Sequence, residues 1–298
     1  MARLLAGKSA PVTNTIADAI NQAFHSLTRA ERQLANKILE NHPVSGLGTI
    51  TQIAEKSGVS PPTIVRMVKK LGFKGFPQFQ TELRHELEAK IAGPIAKHDN
   101  WAQKAPDSHI LNRFAEAVID NIRQSLSQIE TETFDASCKL LSETRHSLYI
   151  IGGRITRALA DYFFLHMQVI RKDVTHIQPI SNSWPHYFLD IKKGDVLVIF
   201  DIRRYENSTL KLAEMGHERG AQIILFTDQW RSPVEKFSKY CFSAKIVVPS
   251  AWDSTVELLL LVETFIAAVQ ELTWPETRAR MEELEDMFDR TRFFRKFT

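Results

Sequence analysis

The spacing of apolar residues changes partway along the chain, and this change predicts two domains. Through residues 15–90 apolar side chains return every three or four positions, the period of helices that bury one face. Residues 91–107 keep no period and contain glycine and proline, so we interpret them as a linker. The pattern therefore predicts an all-helical domain in residues 1–90 and a second domain in residues 108–298.

The second half of the chain alternates short apolar runs with longer stretches of helical period. Five runs have the length of buried strands, at residues 147–153, 174–179, 195–200, 221–227 and 245–249. Helical period is clearest at 208–219 and 254–271, and a charged helix is expected from residue 275. Strands that alternate with helices pair in parallel. The expected fold is an α/β domain whose parallel sheet is covered by helices on both faces.

The most informative stretch is residues 49–76, which has the pattern of a helix, a tight turn and a second helix. Gly58 breaks the first helical pattern, and glycine enters the left-handed conformation of such a turn without steric cost. Ser60 can cap the next helix through its hydroxyl, and Pro61 suits the first helical position. This stretch is therefore predicted to be a helix-turn-helix.

The second helix of this motif divides into an apolar face and a cationic face. Its predicted buried side chains are Ile64, Val65, Val68 and Leu71. Its predicted outer side chains are Thr63, Arg66, Lys69 and Lys70. A short helix with small polar residues at its start and cations along its length suits the major groove of DNA. An ordinary helical hairpin with a solvated charged face is the alternative that the pattern leaves open.

Charge and composition favour a DNA partner and show no sign of a membrane segment. The 298 residues suffice for about two domains. Residues 1–90 carry 12 Lys and Arg against 7 Asp and Glu, whereas the remaining residues carry 26 against 28. The positive charge therefore gathers beside the helix-turn-helix, as phosphate contact requires. The longest apolar run, Leu258–Val262, is far below the ~20 residues that cross a bilayer, and we expect a cytoplasmic protein.

Cysteine and histidine usage predicts neither a disulfide nor a metal site. Cys138 and Cys241 are far apart in apolar surroundings, so we interpret both as reduced core residues. No cluster of His, Cys and Asp has the spacing of metal ligands, and we expect no metal and no cofactor.

Two segments of the N-terminal domain resemble the RpiR/MurR family of bacterial transcription regulators. They are LTRAERQLANKIL at residues 27–39 and IAEKSGVSPPTIVRMVKKLGFKGFPQFQ at residues 53–80. In that family a helix-turn-helix domain precedes a SIS (sugar isomerase) domain, and the similarity of layout covers almost the whole chain. The resemblance implies a double-stranded DNA operator as the partner. The residues that it implies for DNA contact are Ser60, Thr63, Arg66, Lys69, Lys70 and Lys74.

The SIS part of the resemblance implies a sugar-phosphate site at the carboxyl ends of the parallel strands. The first SIS loop usually offers Gly and Ser residues before a helix, and here residues 152–156 read GGRIT. Backbone amides at that helix start can cradle a phosphate. A plain strand-to-helix turn is the alternative. The residues implied at this loop are Gly152, Gly153, Arg154 and Thr156.

The second SIS loop departs from the family pattern. SIS domains usually have a run SxSGxT there, whose hydroxyls wrap the phosphate, whereas this chain has DIRRYENST at residues 201–209. The candidate ligand residues on this loop are Asp201, Arg203, Arg204, Ser208 and Thr209. Two interpretations stay open. Either Arg203 or Arg204 contacts an anion bidentately, or Asp201 pairs with an arginine as a structural clamp in a remodelled pocket.

These features together predict a sequence-specific transcriptional regulator whose SIS-like domain senses a small, anionic metabolite such as a sugar phosphate. We expect a homodimer or homotetramer, since paired recognition helices match paired half-sites on DNA. The alternative is a sugar-phosphate isomerase with an accessory helical domain, whose base would be His176 or Glu257. A DNA-binding protein that responds to no ligand is a third possibility. Because no catalytic constellation is visible, we assign no catalytic residue.

Overall fold

The computed structural model describes residues 15–98, 109–178, 183–292 and 294. Its contacts divide the chain into two compact units, residues 1–92 and 93–298, and each is described by itself. Of the segment predicted as a linker, residues 94–98 are helical, and residues 99–107 lie outside the described residues.

The N-terminal unit is helical throughout its described residues, as its apolar period predicts. Its helices are α1 (Ile16–Ala23), α2 (Arg29–Leu39), α3 (Ile50–Ser57), α4 (Pro61–Lys70) and α5 (Phe76–Ile91). Each of the first three begins with a capping box, in which a threonine hydroxyl and the side chain three residues later satisfy each other's backbone amides. One apolar core joins the five helices and includes Ile20, Leu34, Ile53, Ile64 and Phe79.

The tight turn between α3 and α4 spans residues 58–60. Gly58 ends α3 with φ 64° and ψ 32°, the left-handed conformation that the sequence predicts for it. Ser60 follows in the extended conformation of an N-cap residue, and Pro61 takes the first position of α4. The turn therefore depends on a residue without a side chain at position 58.

The C-terminal unit is an α/β domain built on a five-stranded parallel sheet. The strands are β1 (Leu148–Gly152), β2 (Val174–His176), β3 (Val196–Asp201), β4 (Gln222–Asp228) and β5 (Tyr240–Ala244), in the order β2-β1-β3-β4-β5. The helices are α6 (Ile110–Leu126), α7 (Thr131–Ser142), α8 (Arg157–Ile170), α9 (Trp184–Asp190), α10 (Asn207–Glu218), α11 (Val256–Leu272) and α12 (Trp274–Thr291). In the part of the chain that the structure describes, no helix combines the length and apolarity that a membrane span needs.

Helices cover both faces of this sheet. On one face the Phe226 ring lies 6.5 Å from that of Phe163 on α8 and 5.3 Å from that of Phe265 on α11, measured between centroids. On the other face Leu197 belongs to an apolar cluster with Phe188 of α9 and with residues of α10. Neighbouring strand residues alternate between these two cores, as in a sheet buried on both sides. The predicted fold class is confirmed.

The prediction of a strand at residues 245–249 is wrong, because the last strand is β5, five residues earlier. β5 pairs in parallel with β4. Ile246 and Val248 are buried, as an apolar run predicts, but their backbone leaves the sheet. The Ile246 amide instead donates to the side-chain oxygen of Gln229 over 2.9 Å. The apolar run at residues 245–249 therefore predicts burial correctly but does not predict whether the backbone pairs with a strand.

We expect Gly58→Ala to destabilise the protein more than Gly72→Ala does. Both glycines have positive φ, 64° and 92°, so either alanine costs about 1–2 kcal/mol of backbone strain. A Cβ at position 58 would also lie 2.9 Å from Gln33 Nε2, which would have to give up its hydrogen bond to the Ser57 carbonyl (2.8 Å). A Cβ at position 72 meets nothing within 4 Å. Urea unfolding of both variants measures the difference in free energy. Equal losses would contradict the role assigned to the contact with Gln33.

Candidate functional site

Helix α4 presents cations on an exposed face. Arg66 and Lys69 are exposed on the helix, and Lys74 is exposed just beyond it. The Arg66 guanidinium donates to the Thr63 hydroxyl (Nη2 to Oγ1, 3.1 Å), which lies 2.9 Å from Ser60 Oγ. This chain of contacts holds Arg66 toward the N-terminal turn of the helix, the part that recognition helices direct at base edges.

Four residues in and beside this helix differ from their predicted roles. Thr63, predicted on the outer face, is buried because it lies four residues before Met67 on the stripe that packs into the core. Ser60 occupies the N-cap position, but its hydroxyl contacts Thr63 instead of a backbone amide. Val65 and Leu71, predicted to be buried, are half-buried. The burial of Thr63 removes it from the residues that can reach DNA, and its contact with Arg66 makes it a positioning residue.

Lys70 is held by a partner inside the helical unit. Its Nζ lies 2.7 Å from Glu31 Oε2, and the Glu31 side chain is only 1% exposed. Burial alone would raise the pKa of Glu31, but hydrogen bonds from Lys70 and Thr28 hold that pKa below its usual value. Lys70 therefore ties α4 to α2, and Arg66, Lys69 and Lys74 are the better candidates for phosphate or base contact.

A second candidate site lies at the carboxyl ends of β1 and β3. These strands are neighbours, but β1 connects onward to β2 on one side and β3 to β4 on the other. A crevice opens between the loops that follow such strands, and this is where open parallel sheets bind ligands. The two loops are residues 152–156 and 201–206.

The loop after β1 is tied internally to β3. Gly152 must be glycine, because a Cβ there would stand 2.4 Å from the Thr156 carbonyl oxygen. The Gly153 amide donates to Thr156 Oγ1 over 2.9 Å and to the Phe200 carbonyl over 3.2 Å. The buried Thr156 hydroxyl donates to the same carbonyl over 2.7 Å. The donors of Gly153 and Thr156 thus bind within the fold, and their predicted contact with a ligand stays a prediction.

Asp201 ends β3 as a buried carboxyl group. The Ser232 hydroxyl donates to its Oδ2, and the Glu206 amide donates to the same side chain. Burial raises the pKa of Asp201 to about 7 against the lowering effect of these hydrogen bonds, and Asp228 adds to the rise. The predicted pairing of Asp201 with an arginine is wrong, because Ser232 occupies that position.

Arg203 does form a structural ion pair, as one interpretation predicts, but its carboxylate partner is Asp253 and not Asp201. Arg203 Nε lies 3.0 Å from Asp253 Oδ2, and its Nη2 lies 2.6 Å from Oδ1. The guanidinium also covers the Trp230 ring, 4.0 Å from the centroid. Lys97, in the segment predicted as a linker, places Nζ 2.5 Å from the same Asp253 Oδ1. Burial lowers the pKa of Lys97, although the bond to Asp253 opposes that change. Arg203 therefore has a structural partner in Asp253, and its predicted contact with a ligand stays a prediction.

Asp228, at the end of β4, is a fully buried carboxylate that the sequence analysis does not single out. It accepts from the Arg203 amide (2.7 Å), the Tyr205 hydroxyl (2.8 Å) and the Trp230 amide (2.8 Å). The sequence does contain a signal for Asp228, because an acidic residue at the end of a strand that is buried on both faces is unusual. Asp253 had no such signal, since its partner Arg203 is 50 residues away in sequence.

The crevice surface carries the remaining predicted residues together with Glu206. Arg154 and Arg204 are exposed and Ser208 is half-buried, whereas Thr209 is buried. Glu206 Oε1 accepts from the Arg154 amide over 2.9 Å, and its Oε2 accepts from the Ser208 hydroxyl over 3.3 Å. The two loops at the crevice thus carry two exposed arginines and two donors that already bind the Glu206 carboxylate.

The cysteines and the other side chains that can bind metals add no further site among the described residues. Cys138 and Cys241 are free, and burial raises the pKa of each thiol to about 12. Such thiols are protonated at neutral pH and are poor nucleophiles. Over residues 15–98, 109–178, 183–292 and 294, no group of three His, Cys, Asp or Glu side chains is placed to hold a metal ion.

These features define the class of protein. A helix-turn-helix with a cationic second helix precedes a doubly wound α/β domain, which is the layout of a DNA-binding regulator with a sensor domain. The chain matches the rpiR-family helix-turn-helix domain over residues 14–90 and the SIS domain over residues 140–268. It belongs to the RpiR family of transcriptional regulators, as the two sequence segments predict.

Known proteins share this layout. An uncharacterized HTH-type transcriptional regulator of Haemophilus influenzae is 21% identical over 234 residues, 76% of this chain and 79% of that protein. The sugar isomerase domain of an RpiR transcription factor from Sphaerobacter thermophilus superposes with a TM-score of 0.56 at 18% identity, covering 60% of this chain and 99% of that chain. The NanR protein of Vibrio vulnificus, complexed with ManNAc-6P, gives 0.52 at 18% identity, covering 92% and 98%. The two structures show a shared fold.

We expect the Asp201 carboxyl to make stability fall as pH rises from about 4 to about 7. Its folded pKa of about 7 exceeds the unfolded value of about 3.9, so in this window the folded chain keeps a proton that the unfolded chain has lost. The full effect is about 4 kcal/mol, constant above pH 7. Asp201→Asn should remove it, whereas Asp190→Asn, on an exposed residue of α9, should not.

Urea unfolding at pH 5 and pH 8 measures this prediction. The free energy of unfolding of Asp201→Asn, relative to the wild-type chain, should be higher at pH 8 than at pH 5. The same pH dependence in both proteins would show that Asp201 ionises as an ordinary surface carboxyl.

Proposed function

We propose that this protein is a sequence-specific transcriptional regulator that reads DNA with α4 and senses an anionic metabolite such as a sugar phosphate in its SIS domain. The observation that carries the proposal is one chain with both parts: a helix-turn-helix with exposed cations and a SIS domain with a crevice at the switch point of its sheet. We also propose that the chain is not an enzyme and that it works as a homodimer or homotetramer.

The DNA-binding part of the proposal rests on the exposed face of α4. Arg66 and Lys69 share that face, and Thr63 fixes the direction of the Arg66 guanidinium. Arginine in the major groove can donate two hydrogen bonds to the O6 and N7 atoms of guanine. Lys74, exposed at the end of the motif, is suited to a phosphate of the backbone.

The sensing part of the proposal rests on the crevice and on a relative. NanR, which shares the fold, was solved with ManNAc-6P, a phosphorylated sugar. In the present chain the Arg154 amide, the Ser208 hydroxyl and the exposed Arg204 guanidinium are the donors suited to an anion. A polyhydroxylated ligand with one phosphate fits such a polar, open crevice.

The two parts work together through linkage. A ligand that binds one arrangement of the sensor domains better than another shifts the population toward it. If that arrangement spaces two copies of α4 differently from half-sites about 34 Å apart, DNA affinity changes with ligand concentration. The sign of regulation follows from which arrangement the ligand prefers.

The two candidate bases of the isomerase alternative are poorly suited to catalysis. Glu257 is buried, with one carboxylate oxygen bound to Asn121 and the other to Ser254. His176 Nδ1 lies 3.0 Å from Asp161 Oδ1, and its ring stacks on Phe164. A base for enediol chemistry needs a lone pair open to the bound sugar. A turnover assay with aldose and ketose phosphates tests this, and measurable isomerisation would restore the enzyme alternative.

We expect Arg66→Ala to weaken operator binding by about 1–3 kcal/mol, because a base contact is lost while the fold is kept. The measurement is fluorescence anisotropy at fixed salt, on a duplex selected by the wild-type protein from random sequences. Arg278→Ala is the matched control, since it removes the same side chain from an exposed position on α12. Unchanged affinity of Arg66→Ala would remove Arg66 from the DNA-reading residues.

We expect at least one six-carbon sugar phosphate to raise the melting temperature of the protein, because a ligand that binds the folded state alone stabilises it. The probes are hexose and N-acetylhexosamine 6-phosphates, each beside its unphosphorylated sugar. The phosphorylated member of a pair should act at lower concentration. Equal effects of both members, or none from any pair, would contradict a phosphate-dependent sensor.

A further inference from the structure

The carboxylate of Glu206 lies across the crevice of the SIS domain. Glu206 is the N-cap residue of α10, yet its side chain makes no hydrogen bond to the amides of that helix. It reaches instead to the loop after β1, where Oε1 accepts from the Arg154 amide over 2.9 Å. Its Oε2 accepts from the Ser208 hydroxyl over 3.3 Å, and a Cβ built on Gly153 would stand 3.2 Å from Oε1.

These contacts place a negative group where the proposed ligand would put its own. The Arg154 amide and the Ser208 hydroxyl are donors at the crevice, and both bind Glu206. In the described part of the chain, the exposed guanidinium groups of Arg154 and Arg204 form no ion pair. The two crevice loops thus carry two exposed arginines without an ion-pair partner among the described residues, beside a Glu206 carboxylate that belongs to the chain itself.

We propose that Glu206 is an internal competitor of the effector, holding the anion position of the crevice until the effector's phosphate displaces it. This inference rests on the proposed function, since it concerns the same ligand site. Two anions cannot share these donors, because like charges at hydrogen-bonding distance from a common donor repel strongly. Glu206 is only half-buried, so its side chain can rotate into solvent without opening the core.

The competitor makes the site selective for phosphorylated ligands. A neutral sugar brings hydroxyl groups, which form weaker hydrogen bonds to the Arg154 amide than the Glu206 carboxylate does. A phosphate dianion carries more charge and more acceptor atoms than a carboxylate, and it gains the exposed Arg154 and Arg204 guanidinium groups. The binding free energy of the effector is therefore reduced by the cost of displacing Glu206, which sets the ligand concentration at which the regulator responds.

Removal of the carboxylate should strengthen phosphate binding. The experiment is isothermal titration of the full chain with inorganic phosphate and with glucose 6-phosphate as probes. We expect Glu206→Ala to lower the Kd of both probes by about tenfold or more, because one charge-assisted contact no longer has to be broken. Glu206→Gln, which keeps the shape without the charge, should lower both Kd values by a smaller factor.

The matched control is Glu214→Ala, which removes the same charge from an exposed position on α10 outside the crevice. It should leave both Kd values unchanged, and melting curves check that each variant is folded. Weaker binding by a folded Glu206→Ala would overturn the proposal and make Glu206 a direct ligand contact. Equal binding by Glu206→Ala and the wild-type chain, or no binding of either probe by Glu206→Ala, would also overturn it. Operator binding by the wild-type chain tests the proposed regulator separately.

Discussion

The shape of the loop after β3, which borders the crevice, depends on the buried ion pair between Arg203 and Asp253. The two side chains are 4% and 12% exposed, and a charge buried this far costs several kcal/mol when its partner is removed. Trp230 covers the guanidinium, and the Arg203 amide binds the buried Asp228. The backbone after β3 is thus fixed by charges in the interior. This loop has Arg203 and Arg204 where the SIS pattern has a serine and a glycine, and the Arg203 side chain binds Asp253.

Because this loop is fixed, the proposed ligand site lies at the surface of the crevice. Gly153 and Thr156 use their donors to join β1 to β3, so they give the crevice its floor without contributing free donors. What remains at the surface is the Arg154 amide, the Ser208 hydroxyl and the guanidinium groups, with Glu206 bound among them. Asp253 also binds Lys97, five residues past the end of the helical unit, so the same carboxylate joins the sensor loop to the start of the second unit.

The spacing of apolar residues predicted most of the fold. Helices buried on one face give a repeat of three to four residues, and parallel strands buried on both faces give short apolar runs. The turn at Gly58 was predictable for the same reason, since a left-handed residue is a local requirement. The candidate site was predictable only as a location. The partners of Arg203 and Glu206 are about 50 residues away, and no local pattern records which carboxylate meets which donor. The same limit on sequence-based prediction applies to Thr63 of α4. Neighbouring positions around a helix can differ in burial, and Thr63, predicted on the outer face, is buried.

The central claim is that DNA affinity and ligand affinity are linked in one molecule. Linkage requires reciprocity: the factor by which a ligand changes operator affinity must equal the factor by which the operator changes ligand affinity. The most direct measurement is the operator Kd with and without a saturating sugar phosphate, together with the sugar-phosphate Kd with and without saturating operator. The account predicts two equal ratios that both differ from one. An operator Kd that stays the same at saturating ligand would contradict it.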